Sequence, residues 1–103
     1  MSIGTAMTSA VSGLHNAALV YRTAAHNVVN ARSEGFKAQE VRSETRVAGA
    51  ATVVRGRVAP TDRPADYALE AVTMISARIS YTANAHVISS LDRMSGALLD
   101  ITA

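Results

Sequence analysis

The side chains that could do chemistry in this chain are three histidines, two closely spaced asparagines and a scatter of serines. His15 and His26 stand eleven residues apart. On a helix that puts them on one face but about 16 Å apart along the axis. Two imidazoles so separated cannot share a metal ion, and His86 stands alone. No His-x3-His or Glu-x-x-His spacing occurs and cysteine is absent, so neighbouring positions supply no ligand set for zinc. None of the serines sits in a Gly-x-Ser-x-Gly nucleophile elbow. The glycines form neither GxGxxG nor a GxxxxGK loop, the arrangements that cradle phosphates. These patterns point away from an enzyme and from any metal, cofactor or small-molecule substrate.

The two amides, Asn27 and Asn30, lie in the stretch AAHNVVNARSEGFK at residues 24–37. Asn30 reads as a helix stop, because Asn tolerates the left-handed conformation just past a helix end. Gly35 supplies a positive φ in the turn that follows, and Phe36 can fold back onto the helix end. Asn27 falls inside the helix, where a stop does not explain it. An inward amide bonding a neighbouring backbone is one reading.

The elements that must position these residues separate into three zones of a single domain. Residues 2–30 contain no proline and one charged residue, Arg22; residues 31–66 hold both prolines and most of the charge; residues 67–101 have one glycine, Gly96. Twenty alanines, one Phe and no Trp suit long helices that approach closely, since alanine has the highest helix propensity and aromatics normally fill a small core. In the first zone Met7, Leu14, Tyr21 and Val28 recur every seven residues, with Ile3, Ala10, Ala17 and Ala24 in the alternate seam. Ser12 and Gly13 weaken this helix, and alone it is expected to fray. In the middle zone Glu40, Arg42, Glu44 and Arg46 alternate with Val41, Ser43, Thr45 and Val47. That period of two predicts a strand over 37–47, returning over 52–58 as a polar β-hairpin, with 59–66 as an extended linker. Asp66, or Thr61 and Asp62, can cap the helix that follows.

The third zone predicts a helix with two apolar stripes. Leu69, Val72, Ile75, Ile79, Ala83, Val87, Leu91, Met94, Leu98 and Ile101 fall on one face, and Tyr67, Met74, Tyr81, Ala85 and Ile88 lie roughly opposite. A surface helix of a monomer needs one stripe. The first is expected to pack on the N-terminal helix and the second against another subunit. The expected fold is mainly α: two long terminal helices packed as an antiparallel hairpin or coiled coil, with a short polar β-hairpin or loop between them.

A net charge of +2, with no cluster of basic and aromatic residues, gives no footprint for nucleic acid. No basic stretch precedes an apolar run at the N-terminus, so no cleavable signal peptide is visible, and no apolar run is long enough to span a membrane.

The segment AVSGLHNAALVYRTAAHNVVNARSEGFK (10–37) resembles the N-terminal signature of bacterial flagellar rod and hook proteins, through Ser12-Gly13-Leu14, Asn27, Asn30, Gly35 and Phe36. His26, Val29 and Ser33 depart from that pattern. The segment 68–101 is similar to the family's second signature at Glu70, Met74, Ile75, Arg78, Tyr81, Asn84, Ile88, Asp92, Met94 and Leu98, with Ala71 and Ala77 as departures. The resemblance implies a short, proximal-rod-like axial protein whose terminal helices pack in the inner tube of the basal-body rod. It further implies flagellar type III export without a cleaved signal, a place in the periplasmic rod, and as partners copies of itself, other rod proteins and the export apparatus. Helix packing and assembly are then expected at Leu14, Tyr21, Asn27, Asn30, Met74, Tyr81, Asn84, Ile88, Met94 and Leu98, and the turn at Gly35 and Phe36. The alternative is a soluble helical-hairpin export chaperone or adaptor that uses the second stripe to hold a partner's helix.

Overall fold

Ser2 starts the first helix. Its hydroxyl accepts from Thr5 N at 3.1 Å while Ser2 N donates to Thr5 Oγ1 at 3.0 Å, a reciprocal cap that satisfies donors a helix start leaves open. The computed structural model describes residues 2–102. It contains helix α1 (Ile3–Asn30), strands β1 (Gln39–Ala48) and β2 (Ala51–Pro60), and helix α2 (Tyr67–Thr102). Asp66 caps α2, its carboxylate accepting from Ala68 N at 2.9 Å and Leu69 N at 3.3 Å. Thr61, the other expected cap, donates instead to Ala38 O.

The first helix does not end on a left-handed asparagine. Among the described residues none other than glycine has positive φ, Asn30 is the last helical residue, and Ala31 closes the helix in right-handed geometry. Asn30 donates from Nδ2 back to His26 O at 2.9 Å. The left-handed residue is Gly35, at φ 73. It lies third in a turn closed by Phe36 N donating to Ser33 O at 3.1 Å, the position where a type II turn requires positive φ. Phe36 then meets the edge of His26, ring centroids 5.7 Å apart.

β1 and β2 form a two-residue hairpin around Gly49 and Ala50, in register from Ala48–Ala51 to Gln39–Pro60. Only Gly49 of the two turn residues has positive φ, the II′ pattern that matches strand twist. β1 starts two residues later than the sequence expectation and ends one later, while β2 runs past it at both ends, so Ala59 and Pro60 belong to β2 and not to the linker. Counting out from the closing pair, hydrogen-bonded and open pairs alternate. Pro60 falls in an open pair, where its missing N–H costs the ladder nothing.

The contacts between α1 and α2 run in opposite order along the two helices: Asn27 bonds Glu70, while Gly13 lies against Asn84. The hairpin lies against α1 and its backbone stays clear of α2. Hairpin, α1 and α2 therefore form a plate of 62 × 24 × 14 Å, scarcely thicker than one helix with its side chains, about 10–12 Å. The radius of gyration is 17.3 Å, against about 13 Å for a compact domain of this length.

The rotation of α2 differs from the sequence expectation. Met74, Ala77, Asn84, Ala85 and Ile88 turn toward α1, whereas Leu69, Val72, Ile75, Ile79, Val87, Met94 and Ile101 are exposed. The stripe expected to pack inside faces out, and much of the stripe expected to face a partner is half-buried on α1. The reason is the seam that α1 offers. Ala10, Ala17 and Ala24 are buried there, and alanines bring the helix axes close. Ala77 of α2 is buried with that seam, and the same rotation brings Glu70 to Asn27 and Arg63.

Candidate functional site: an assembly surface

α1 carries a polar stripe, Ser9, Ser12, Asn16, Thr23 and Asn27, at helical steps of three and four with one gap filled by Leu19 and Val20. Most of it serves the hairpin. Ser9 Oγ donates to Thr52 O at 2.6 Å and Ser12 Oγ accepts from Val54 N at 3.1 Å. Ser43 Oγ donates to Asn16 Oδ1 at 3.0 Å. Thr52 and Val54 stand in the open pairs of the ladder, so these are edge groups that β1 does not satisfy. An unpaired strand edge invites other strands, and here side chains of α1 occupy it. Asn16 and Leu19 reach so far under β2 that Gly56 has no room for a Cβ.

At the far end of the stripe Asn27 is 1% exposed and treats β1 as a strand would. Its Oδ1 accepts from Gln39 N at 2.8 Å and its Nδ2 donates to Gln39 O at 2.8 Å. The same Nδ2 lies 3.1 Å from Glu70 Oε2. Glu70, 2% exposed, has Arg63 3.4 Å from its other oxygen. A buried carboxylate is costly unless bonded, so this junction of helix, strand, linker and helix fixes the rotation of α2. It also accounts for the amide that a helix stop left unexplained.

The expected site residues divide by burial. Asn27 sits in the junction; Asn30 and Phe36 cover the helix end; Gly35 is in the turn. Leu14, Met74, Asn84 and Ile88 are half-buried, Asn84 against Gly13 of α1, and Asn84 donates to Ser80 O within α2. Tyr21 and Tyr81 are 40% and 43% exposed and wall one groove. Met94 and Leu98 are exposed near the end of α2. What sequence reasoning misplaced is the outward stripe, Leu69, Val72, Ile75, Ile79 and Val87. It runs down α2 with Arg78 the one Lys, Arg, Asp or Glu between Ala71 and Leu91. What it missed are Ser9, Ser12, Asn16 and Arg63. For the three on α1 the signal was present in polar residues at helical spacing on an otherwise apolar helix; Arg63, in the linker, left no such pattern.

Among the described residues no three His, Cys, Asp or Glu come together as a metal site, and no helix is long and apolar enough to cross a membrane. His15, His26 and His86 are all exposed. The surface offers a plate with an uncovered apolar edge. Comparison of the sequence with protein-family models and with curated proteins finds no match.

Proposed function

We propose that this chain is a structural subunit that completes its packing by associating with further copies. On the resemblance of its two helical segments to rod and hook proteins, the assembly is the bacterial flagellar basal-body rod. In this reading α1 and α2 act as an antiparallel helical hairpin, exported by the flagellar type III route, and join copies of the chain and other rod proteins in an axial tube that transmits torque.

One observation carries the assembly reading: the fully buried apolar side chains are small, while a stripe of large ones stands exposed on α2. Among the described residues the buried apolar ones are all alanine, at 10, 17, 24, 38, 51, 59 and 77. Val72, Ile75 and Ile79 are 64%, 61% and 65% exposed. The accessible surface is 6957 Å², about 1,400 Å² more than a compact monomer of this mass exposes. A standard interface takes about 800 Å² from each partner, so the surplus matches that of a chain with more than one neighbour.

The test pairs two measurements. Sedimentation over a hundredfold concentration range should show wild type associating, and Val72→Glu with Ile79→Glu abolishing association while helicity by circular dichroism stays within about a tenth of wild type. A concentration-independent wild-type monomer would count against assembly. Deletion of the gene in its own bacterium should remove the rod and motility. Normal rods would reject the flagellar assignment and leave self-association standing.

A further inference from the structure

α2 is longer than the helix it lies on. With Asn27 against Glu70 and Gly13 against Asn84, the start of α1 falls near residue 95 of α2. Asp92 to Ile101 are all exposed. The projecting tip carries Gly96 and Asp100, and Asp92 stands one turn before Gly96, beside the start of α1, the three at steps of four. They share one helix face, with the two acids about 12 Å apart along the axis. Neither acid has a hydrogen-bond or ion-pair partner among the described residues, and nothing lies within 4 Å of where a Cβ on Gly96 would be.

Midway along the plate, an open groove of about 370 Å³ lies between α1 and α2. Ala17 and Ala77 form its floor, Tyr21 and Tyr81 its walls, and it carries Arg22 and Arg78. Both arginines are exposed, and neither has an acidic partner among the described residues. They project from facing helices whose axes lie about 8–10 Å apart when packed. Two flexible guanidinium arms can span the carboxylate spacing of the tip.

We infer that the tip of α2 from a second copy docks in this groove, with Asp92 and Asp100 against Arg22 and Arg78 and Gly96 over the alanine floor. The inference rests on the assembly reading and names the surfaces that meet. A chain cannot serve itself, because Tyr81 and Asp92 lie on the same rigid helix, about 16 Å apart along it. Donor and acceptor surfaces differ, so the contact is heterologous and can propagate. The small residues at the floor and at Gly96 admit close approach, and the four charges set which end enters.

Charge reversal tests this directly. Asp92→Arg with Asp100→Arg makes tip and groove both basic; Arg22→Asp with Arg78→Asp makes both acidic. Each variant alone should associate at least tenfold more weakly than wild type in sedimentation. An equimolar mixture should recover association to within about threefold, because each tip then finds a groove of opposite sign. All four sites are exposed, and circular dichroism of each variant checks that helicity is kept. If a reversal costs helicity, Asp92→Asn with Asp100→Asn and Arg22→Gln with Arg78→Gln replace it, each expected to weaken association and to remove its salt dependence. Either charge variant associating like wild type, or a mixture of folded variants staying dissociated, overturns the docking. If wild type associates and the reversals change nothing, this contact is wrong and assembly stands. If wild type does not associate, both are wrong.

Discussion

Replacing Asn27 by Ala should cost this fold more than any other single polar truncation on α1. The side chain makes three hydrogen bonds from a site 1% exposed. Two go to the backbone of Gln39, which is half-buried; water can reach those groups once the amide is gone, so their loss amounts to about 1 kcal/mol together. The third goes to Glu70, buried at 2%, and a hydrogen bond to a charged group is worth about 1.5–3 kcal/mol. The sum is about 3 kcal/mol. A chain of this length has about 5–15 kcal/mol in all, and a thin plate sits toward the lower end. Urea unfolding at a concentration where the protein is dispersed gives the total, and amide exchange at Gln39 reads the local effect. Glu70→Gln in the same background should recover about 1 kcal/mol relative to additivity, because a neutral amide tolerates the loss better than a buried charge. A cost under about 1 kcal/mol with the Gln39 amide still protected would refute the junction as the fixing point of α2.

Gly35→Val should destabilise by about 1–3 kcal/mol, since a β-branched residue is strained at the turn's positive φ. Nothing surrounds the site within 4 Å, so Gly35→Asn should cost much less, and equal melting temperatures for the two would rule out backbone strain as the cause. At Gly13 a Cβ would stand 2.8 Å from Asn84 Oδ1. Gly13→Ala should therefore realise its helix-propensity gain of about 1 kcal/mol only alongside Asn84→Ala, and the same gain with Asn84 present would show that the helices are not in close contact there. Removing the cap with Asp66→Ala should cost about 1 kcal/mol and speed exchange at the amides of Ala68 and Leu69; unchanged exchange would mean that the cap bonds are absent in solution.

The limits of both helices were legible because prolines, Gly35 and the capping residues punctuate the chain on either side of long apolar runs. The hairpin was legible from the period of two in residues 37–47 and the glycine between the strands. Its ends were not. Pro60 argues against a strand until the register shows it in an open pair, and register depends on which residues occupy the turn. The rotation of α2 was illegible for a different reason. Both of its stripes are apolar, and hydropathy alone ranks the Val72–Ile75–Ile79 stripe as the better core. What decides is contact across elements: Ala77 meets the alanine seam of α1, and Glu70 must reach Asn27 and Arg63. Neither constraint belongs to a single helix. Ser12 and Gly13 were readable as weak helix formers, but their use lies in partners far along the chain, Val54 and Asn84.

The division between polar bonds within the plate and apolar side chains outside it has a consequence for how the subunit holds its shape. Hydrophobic contact is non-directional, and a stripe of Val and Ile can be satisfied by many packings. The bonds from Ser9, Ser12, Asn16 and Asn27 to named strand groups are directional, and each tolerates one register. Individually they are modest, about 1 kcal/mol each, too little to make the plate rigid against a backbone ordering cost of about 1–2 kcal/mol per residue. They are enough to choose one geometry among those of similar energy. The outward stripe then adds its burial only when a neighbour arrives, and it adds it to a shape already selected. A chain built the other way, with Val72, Ile75 and Ile79 inside, would be a firmer monomer and would offer only the shorter stripe of Tyr67, Met74, Tyr81 and Ile88.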